Sequence, residues 1–202
     1  MEKRIEYKNR LIMLDVESTD LFNGMPFAWG AVVLEFEQEE DDPTTVKAVV
    51  VDKKLVWCHH PDIENMASDW VKEHVMNEAN KHLITHNLEH ENHINVMYAE
   101  FTEFMNKHLD GDTDLWVDCM FPVEATFLTN WENWLKNGYL GFLSELKMPY
   151  PVYDLSTILH VDINRAGFAG FKNMESDHNP VHDALHSGMA AAKRILESRG
   201  LK

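Results

Sequence analysis

The 202-residue sequence is long enough for one α/β domain with a full core and short for two, so we expect a single domain over residues 1–202. Its 45% hydrophobic content excludes a disordered chain. The sequence has no apolar stretch of membrane-spanning length and only two cysteines, which is typical of a cytoplasmic protein without a membrane partner. The net charge of −16, from 34 acidic and 18 basic residues, disfavours a protein that tracks along a nucleic-acid duplex and suits one that grips a short end.

Three β-strands are predicted in the N-terminal part of the chain. Arg10 to Val16 and Phe27 to Phe36 are apolar runs joined by a turn around residues 23–26, and Val46 to Cys58 forms a third strand or a strand pair. The acidic segment at residues 35–42 is predicted to be a solvated hairpin tip. Because the connections are short, we expect these strands to pair antiparallel.

After the third strand the apolar residues recur every three or four positions, which predicts helices. A first helix would carry four apolar residues on one face: Met66, Trp70, Val71 and Val75. A second would end near Leu109, with a face formed by Ile94, Met97, Phe101, Phe104 and Met105.

The C-terminal part alternates strands and helices. Asp114 to Cys119 is a predicted strand, and Pro122 would lie in the first turn of a helix that contains Phe127, Leu128, Trp131 and Leu135. A short element at residues 152–159 precedes a final helix from Pro180 to Leu196, whose inward residues would be Val181, Leu185, Met189, Ala192 and Leu196. The order β-β-β-α-β-α-β-α predicts an α/β ribonuclease H-like fold, a mixed central sheet flanked by helices.

Four carboxylates occupy the ends of these predicted elements. Asp15 and Glu17 close the first strand, where both side chains can bind a divalent cation instead of being buried as unpaired charges. Asp118 ends the Asp114–Cys119 strand, and Asp183 lies in the first turn of the last helix. Carboxylates that converge from different elements can hold two Mg²⁺ or Mn²⁺ ions ~3.5–4 Å apart, the arrangement that hydrolyses phosphodiesters.

Two segments resemble motifs of the DEDDh branch of the 3′–5′ exonuclease superfamily, which includes ribonuclease T, oligoribonuclease and the proofreading subunit of bacterial DNA polymerase III. Residues 14–21 (LDVESTDL) match the first motif, and residues 178–184 (HNPVHDA) match the third. The resemblance extends roughly from residue 11 to residue 196. It implies that Asp15, Glu17 and Asp183 are metal ligands and that His178 is the general base that takes a proton from the attacking water.

The middle motif departs from the family pattern, which has a His-Asn pair at a strand end and then an aspartate just before a helix carrying Phe-Leu. Here Glu124 precedes Phe127-Leu128 with the family's spacing, whereas Asp118 ends the strand. We favour Asp118 as the fourth metal ligand, because a short side chain on a rigid strand end positions a metal more tightly. Glu124 is the alternative ligand, or else a carboxylate stabilised by the helix dipole.

Substrate contacts are expected in the first-motif loop. Relatives place apolar side chains at the positions of Leu21 and Phe22, where they wedge or stack the terminal base. Packing of these two residues against the core is an equal alternative. By resemblance alone, Ser18 and Thr19 would donate hydrogen bonds to the 3′ end of the substrate, through backbone or hydroxyl.

Two further groups have simpler interpretations than a functional site. Four histidines recur at helical spacing that can bind zinc, but their segment is so polar that a solvated helix or loop is favoured: His82, His86, His90 and His93. Four aromatic residues could form a substrate platform, but core or homodimer packing is favoured: Trp131, Trp134, Tyr139 and Phe142.

These observations predict a 3′–5′ exonuclease that uses two Mg²⁺ or Mn²⁺ ions to release mononucleotides from single-stranded DNA or RNA 3′ ends. A phosphodiesterase specialised for short oligonucleotides is an alternative that the acidic composition favours. The alternative outside enzymes is a non-catalytic nucleic-acid-binding module of the same fold. The presence of Asp15, Glu17, His178 and Asp183 argues against it, since a degenerate copy would lose at least one of them.

Overall fold

A six-stranded mixed sheet forms the centre of the protein in the computed structural model, which describes residues 7–39, 45–88, 92–137, 151–160 and 178–201. Its strands are β1 (Arg10–Ser18), β2 (Pro26–Gln38), β3 (Val46–His59), β4 (His86–Asn87), β5 (Thr113–Val117) and β6 (Val152–Asp154). Their order across the sheet is β4-β3-β2-β1-β5-β6. The first three strands pair antiparallel, as predicted, whereas β4, β5 and β6 run parallel to β3, β1 and β5. The carboxyl ends of five strands therefore meet at one edge.

Helices cover both faces of the sheet. They are α1 (Pro61–Met66), α2 (Asp69–His74), α3 (His93–His108), α4 (Ala125–Lys136), α5 (Leu155–Leu159) and α6 (Pro180–Arg199), with a 3₁₀ helix at Glu78–Leu83 and a π-helical turn at Met120–Glu124. Helices α3 and α4 bury one face of β1 and β2 around Trp29, Phe101 and Trp131, and α6 buries the other. The predicted mixed sheet flanked by helices is confirmed. Among the described residues, no helix is long and apolar enough to cross a membrane.

The predicted helix through Met66 and Val75 is wrong, because the chain forms two short helices there. The first ends at Met66, where Ala67 turns to an extended conformation. Ser68 caps the second, its hydroxyl accepting a hydrogen bond from the backbone N–H of Val71 at 3.3 Å. The interruption changes the helical phase. Val71 and Val75 are buried, but Met66 is 52% exposed and Trp70 is 54% exposed.

Smaller corrections concern the ends of elements. Strand β2 continues to Gln38, so residues 35–38 of the predicted acidic hairpin tip belong to a strand, and Glu35 forms an ion pair with Arg10. Residues 40–44 lie outside the described residues. Val46–His59 is one strand. Pro122 lies in the π-helical turn before α4 instead of in its first turn. Met189 is exposed, because the buried stripe of α6 passes through the small residues Gly188, Ala191 and Ala192.

The four histidines and the four aromatic residues singled out in the sequence do not form a common site among the described residues. His82, His86 and His93 lie on the 3₁₀ helix, β4 and α3, so these three do not share the helical face on which the zinc alternative depended. His90 lies outside the described residues. His82 is exposed and His93 is buried. Trp131 and Trp134 are buried in the core beneath α3, which confirms the packing interpretation for them, and Tyr139 and Phe142 lie outside the described residues.

Candidate active site

Five carboxylates gather where β1 and β5 end and α4 and α6 begin. Asp15 and Glu17 are among the last four residues of β1, and Asp118 follows β5 directly. Glu124 immediately precedes α4, and Asp183 lies in the first turn of α6. Asp15 interacts electrostatically with each of the other four. The structure thus brings together every carboxylate that the sequence singled out, the two alternatives of the middle motif included.

His178 completes this group from the residue before the cap of α6. Its Nδ1 lies 3.5 Å from Oε1 of Glu17. Glu17, His178 and Asp183 each offer a ligand atom, and these atoms lie within 4.8 Å of one another. His182 is exposed. His178 therefore lies beside the Glu17 carboxylate, and its role as general base stays a prediction.

The backbone around His178 is held in an uncommon conformation. His178 has φ of 55°, in the left-handed region that non-glycine residues rarely occupy. The next residue, Asn179, caps α6 by accepting a hydrogen bond from the backbone N–H of Val181, and its carbonyl accepts one from Asp183. Because the turn fixes both His178 and the first turn of α6, the imidazole and the Asp183 carboxylate are positioned by the same short segment.

Gly30 allows the first turn of α6 to lie directly on the sheet. It pairs with Asp15 across β1 and β2. A β-carbon at Gly30 would overlap the backbone of Pro180 and Val181. The absence of a side chain at this position therefore lets Asp183 approach Asp15. Sequence reasoning missed this residue, although a glycine inside an apolar strand is a known sign of close backbone approach.

The electrostatics of the site favour an added positive charge. Burial raises the pKa of Asp15 well above its usual range, and the carboxylates of Glu17 and Asp183 raise it further. Burial also raises the pKa of Glu17, an effect that its hydrogen bond with His178 partly offsets. Burial raises the pKa of Glu124 well above its usual range, despite hydrogen bonds from backbone N–H groups. The cluster is costly when ionised, and a bound divalent cation would remove that cost.

The donor set fits a hard divalent cation. Carboxylate oxygens are the ligands that Mg²⁺ and Mn²⁺ prefer, and three or four of them suffice when waters and a substrate phosphate complete the coordination. Asp15, Glu17 and Asp183 could hold such ions together with Asp118 or Glu124. The convergence of these groups from strands and helices, instead of from one flexible loop, gives a rigid site.

Asp118 and Glu124 are held differently. The backbone carbonyl of Asp118 accepts a hydrogen bond from the N–H of Ser156 at 2.9 Å, which ties the end of β5 to α5. Asp154 caps α5 by accepting a hydrogen bond from the backbone N–H of Thr157, so β6 and α5 brace the Asp118 segment. Glu124 is buried, and its carboxylate accepts a hydrogen bond from the backbone N–H of Val16. The preference for Asp118 as the ligand stays a prediction.

The first-motif loop places two apolar side chains in solvent. Leu21 is 54% exposed and Phe22 is 63% exposed, so neither folds back on the core. Thr19 is buried and anchors the loop, because its backbone N–H donates to the carbonyl of Met25 and its hydroxyl accepts from the Met25 N–H. The Ser18 hydroxyl donates to the carbonyl of Asp20. Substrate contact by these four residues stays a prediction, and the Thr19 N–H is already engaged.

Two exposed aromatic residues near the site were missed in the sequence. Phe121 is 65% exposed, and its ring lies 6.5 Å from that of Phe22. Trp70 lies 5.3 Å from the His178 ring. A Ser-Asp pair directly before Trp70 was the available signal, because it marks a new helix start and hence a change of phase.

Several solved nuclease structures are similar to this chain. E. coli exonuclease I in complex with a dT13 oligonucleotide is similar at 10% identity and a TM-score of 0.54, covering 96% of this chain and 42% of that one. The zinc-bound exonuclease I–ssDNA complex is similar at 11% identity and a TM-score of 0.50, covering 95% and 41%. Cell-death related nuclease 4 matches with a TM-score of 0.49 at 12% identity, covering 98% and 66%. The chain has a ribonuclease H-like fold.

These likenesses concern the fold alone. The chain spans less than half of exonuclease I and about two thirds of the cell-death related nuclease. No known protein family and no curated protein sequence matched the sequence. The activity must therefore be inferred from the residues of the site.

Proposed function

We propose that this protein is a metal-dependent 3′–5′ exonuclease that releases mononucleotides from single-stranded nucleic-acid ends. The observation that carries the proposal is the convergence of Asp15, Glu17 and Asp183 with His178 at one edge of a ribonuclease H-like sheet. Exonuclease I, which shares the fold, forms complexes with single-stranded DNA and has a zinc-bound form. This likeness supports a similar substrate class for the present chain.

The carboxylates would hold two Mg²⁺ or Mn²⁺ ions. Asp15, Glu17 and Asp183 are the proposed ligands, with Asp118 as the fourth and Glu124 as its alternative. When bound, such ions stabilise the charge that develops on the attacking and leaving oxygens of a phosphodiester. A raised pKa at Asp15 and Glu17 in the metal-free protein is consistent with a site whose charge is balanced by cations.

His178 is the proposed general base. An imidazole accepts a proton from water most readily when it is neutral and its second nitrogen is held by a partner. The Nδ1 of His178 lies 3.5 Å from the Glu17 carboxylate, which orients the ring beside the ligands. Contact with Trp70 fixes the ring from another side. The nearness of the imidazole to these carboxylates supports a role in taking the proton of an attacking water.

Exposed apolar side chains would hold the terminal nucleotides. Leu21 and Phe22 lie on the loop that follows the β1 carboxylates, and Phe121 lies near the Phe22 ring. Stacking on such side chains holds single strands without reading their sequence. The net charge of −16 leaves little attraction for a long phosphate backbone, which favours binding of a short stretch at the end.

A panel of substrates tests this proposal. Purified protein would be incubated with labelled single-stranded RNA, single-stranded DNA, duplex DNA and a dinucleotide, with Mn²⁺ and then with EDTA. We expect one-nucleotide ladders from the 3′ end of the single strands, abolished by EDTA and by Asp15→Asn. Turnover of the dinucleotide alone would instead show the short-oligonucleotide phosphodiesterase. Binding without any turnover would show a non-catalytic module and would refute the proposal.

A further inference from the structure

Trp70 has an unusual position for a large apolar side chain. It is 54% exposed on the short helix α2, yet its ring contacts two histidines. The His74 ring stacks on it at 4.8 Å between centroids with an interplanar angle of 12°. The His178 ring stands perpendicular to it at 5.3 Å and 89°. The Trp70 ring is held on one face by His74 and lies perpendicular to the His178 imidazole, so it restricts the orientations that the imidazole can adopt.

Helix α2 is fixed to the site by the first-motif loop. The backbone N–H of Ser68, the residue that caps α2, donates to the carbonyl of Thr19 at 2.9 Å. Thr19 is itself held by two hydrogen bonds with Met25. One turn further along α2, Val71 is buried against Phe27 and Trp57. Helix α2, and with it Trp70, is therefore tied to the loop that directly follows the β1 carboxylates.

His178 needs such support because its backbone is strained. With φ of 55° it occupies a region that costs a β-carbon-bearing residue energy and persists only where its surroundings hold it. Among the described residues, the contacts that restrict its side chain include the Glu17 carboxylate at 3.5 Å from Nδ1 and the perpendicular Trp70 ring. The first fixes one nitrogen, and the second fixes the plane of the ring.

From this geometry we infer that Trp70 is a positioning residue that holds the imidazole of His178 in its working orientation. The inference rests on the proposed function of His178 as general base. Trp70 acts through His178, so removing it should lower the rate of the chemical step more than it weakens substrate binding. A platform for a nucleobase would do the reverse, because loss of stacking raises KM.

Four variants separate these outcomes: Trp70→Ala, Trp70→Phe, Met66→Ala and Phe22→Ala. Trp70→Ala should lower kcat roughly tenfold and leave KM nearly unchanged. A tenfold loss is close to the ~1.5 kcal/mol upper value of one aromatic contact and is smaller than the ~10²–10⁴-fold loss expected when the general base itself is removed. Trp70→Phe keeps an aromatic ring and should restore most of kcat. Met66 is 52% exposed on α1 and serves as the matched surface control. Phe22→Ala should raise KM.

A second measurement tests the contact without any turnover. In histidine-labelled protein, the imidazole proton signals of His178, assigned with His178→Ala, report the ring current of the adjacent indole. Trp70→Ala should move these signals further than Met66→Ala does. An inactive wild type would refute the proposed function. An active wild type, with unmoved signals or with a raised KM and unchanged kcat in Trp70→Ala, would refute the inference alone.

Discussion

Replacement of Asp183 by Asn should stabilise the metal-free protein, because it removes one charge from the carboxylate cluster. The ligand atoms of Asp183 and Glu17 lie within 4.8 Å. At that separation two unit charges repel by about 0.9 kcal/mol in bulk water and by about 3.5 kcal/mol at an effective dielectric of 20. Loss of a carboxylate from the first turn of α6 costs ~0.3–1 kcal/mol of helix-dipole stabilisation. At the effective dielectric of about 20 that suits a partly buried site, the net gain in unfolding free energy is therefore roughly 2.5–3 kcal/mol.

The assay is thermal unfolding at pH 8 with EDTA and with millimolar Mn²⁺. Without metal, Asp183→Asn should melt roughly 5–12 °C above the wild type, at ~2–4 °C per kcal/mol for a chain of this size. With Mn²⁺ the wild type should gain more than the variant, because a cation that binds only the folded site stabilises it. An equal or lower melting temperature of the variant in EDTA at pH 8 would refute the reasoning.

The pH dependence gives an internal control. Burial and neighbouring carboxylates raise the folded-state pKa values of Asp15, Glu17 and Glu124 above those of the unfolded chain. Stability from these groups is therefore fully present below the usual carboxyl pKa of ~4 and is lost as the pH rises through the raised values. The advantage of Asp183→Asn should shrink towards acid pH. Asp69→Asn, an exposed aspartate in the first turn of α2, should show no stabilisation at pH 8.

Three other substitutions test separate parts of the site. If Asp118 is the metal ligand, Asp118→Asn should abolish activity as completely as Asp15→Asn, while Glu124→Gln should cost much less; the opposite ranking would assign the ligand to Glu124. His178→Ala should lower the rate by roughly 10²–10⁴-fold while leaving Mn²⁺ affinity nearly unchanged, and an inactive His182→Ala beside an active His178→Ala would contradict the assignment of the base. Gly30→Ala should lower the free energy of unfolding measured in urea by ~1–3 kcal/mol and weaken Mn²⁺ binding, because the added β-carbon would displace α6. Gly111→Ala is the control and should do neither, because its β-carbon would meet open space.

The type and order of the long elements were predictable from the sequence because burial gives them a strong pattern. The apolar run before Asp15 predicted a buried strand, and Asp15 and Glu17 lie near the end of that strand. The final helix was equally clear, so Asp183 fell in its first turn as predicted. The parallel pairing of β5 with β1 then places Asp118 near Asp15, as the order of elements indicated.

Short elements and close approaches were not predictable in the same way. Trp70 was assigned to the inward face of one helix, but the cap at Ser68 restarts the helix and turns the indole towards His178. The role of Gly30 depends on where α6 crosses the sheet, which is a tertiary property. The left-handed conformation of His178 is also imposed by its surroundings, since no propensity of histidine requires it.

The most direct test of the central claim is cleavage of a 5′-labelled single strand in Mn²⁺ by the wild type and by Asp15→Asn, Glu17→Gln and His178→Ala, each shown to be folded by its melting curve. We predict a ladder of products shortened one nucleotide at a time from the 3′ end for the wild type. The two carboxylate variants should give no ladder, and His178→Ala should give only a slow one. A ladder from Asp15→Asn equal to that of the wild type, or the absence of any cleavage by the wild type, would contradict the account.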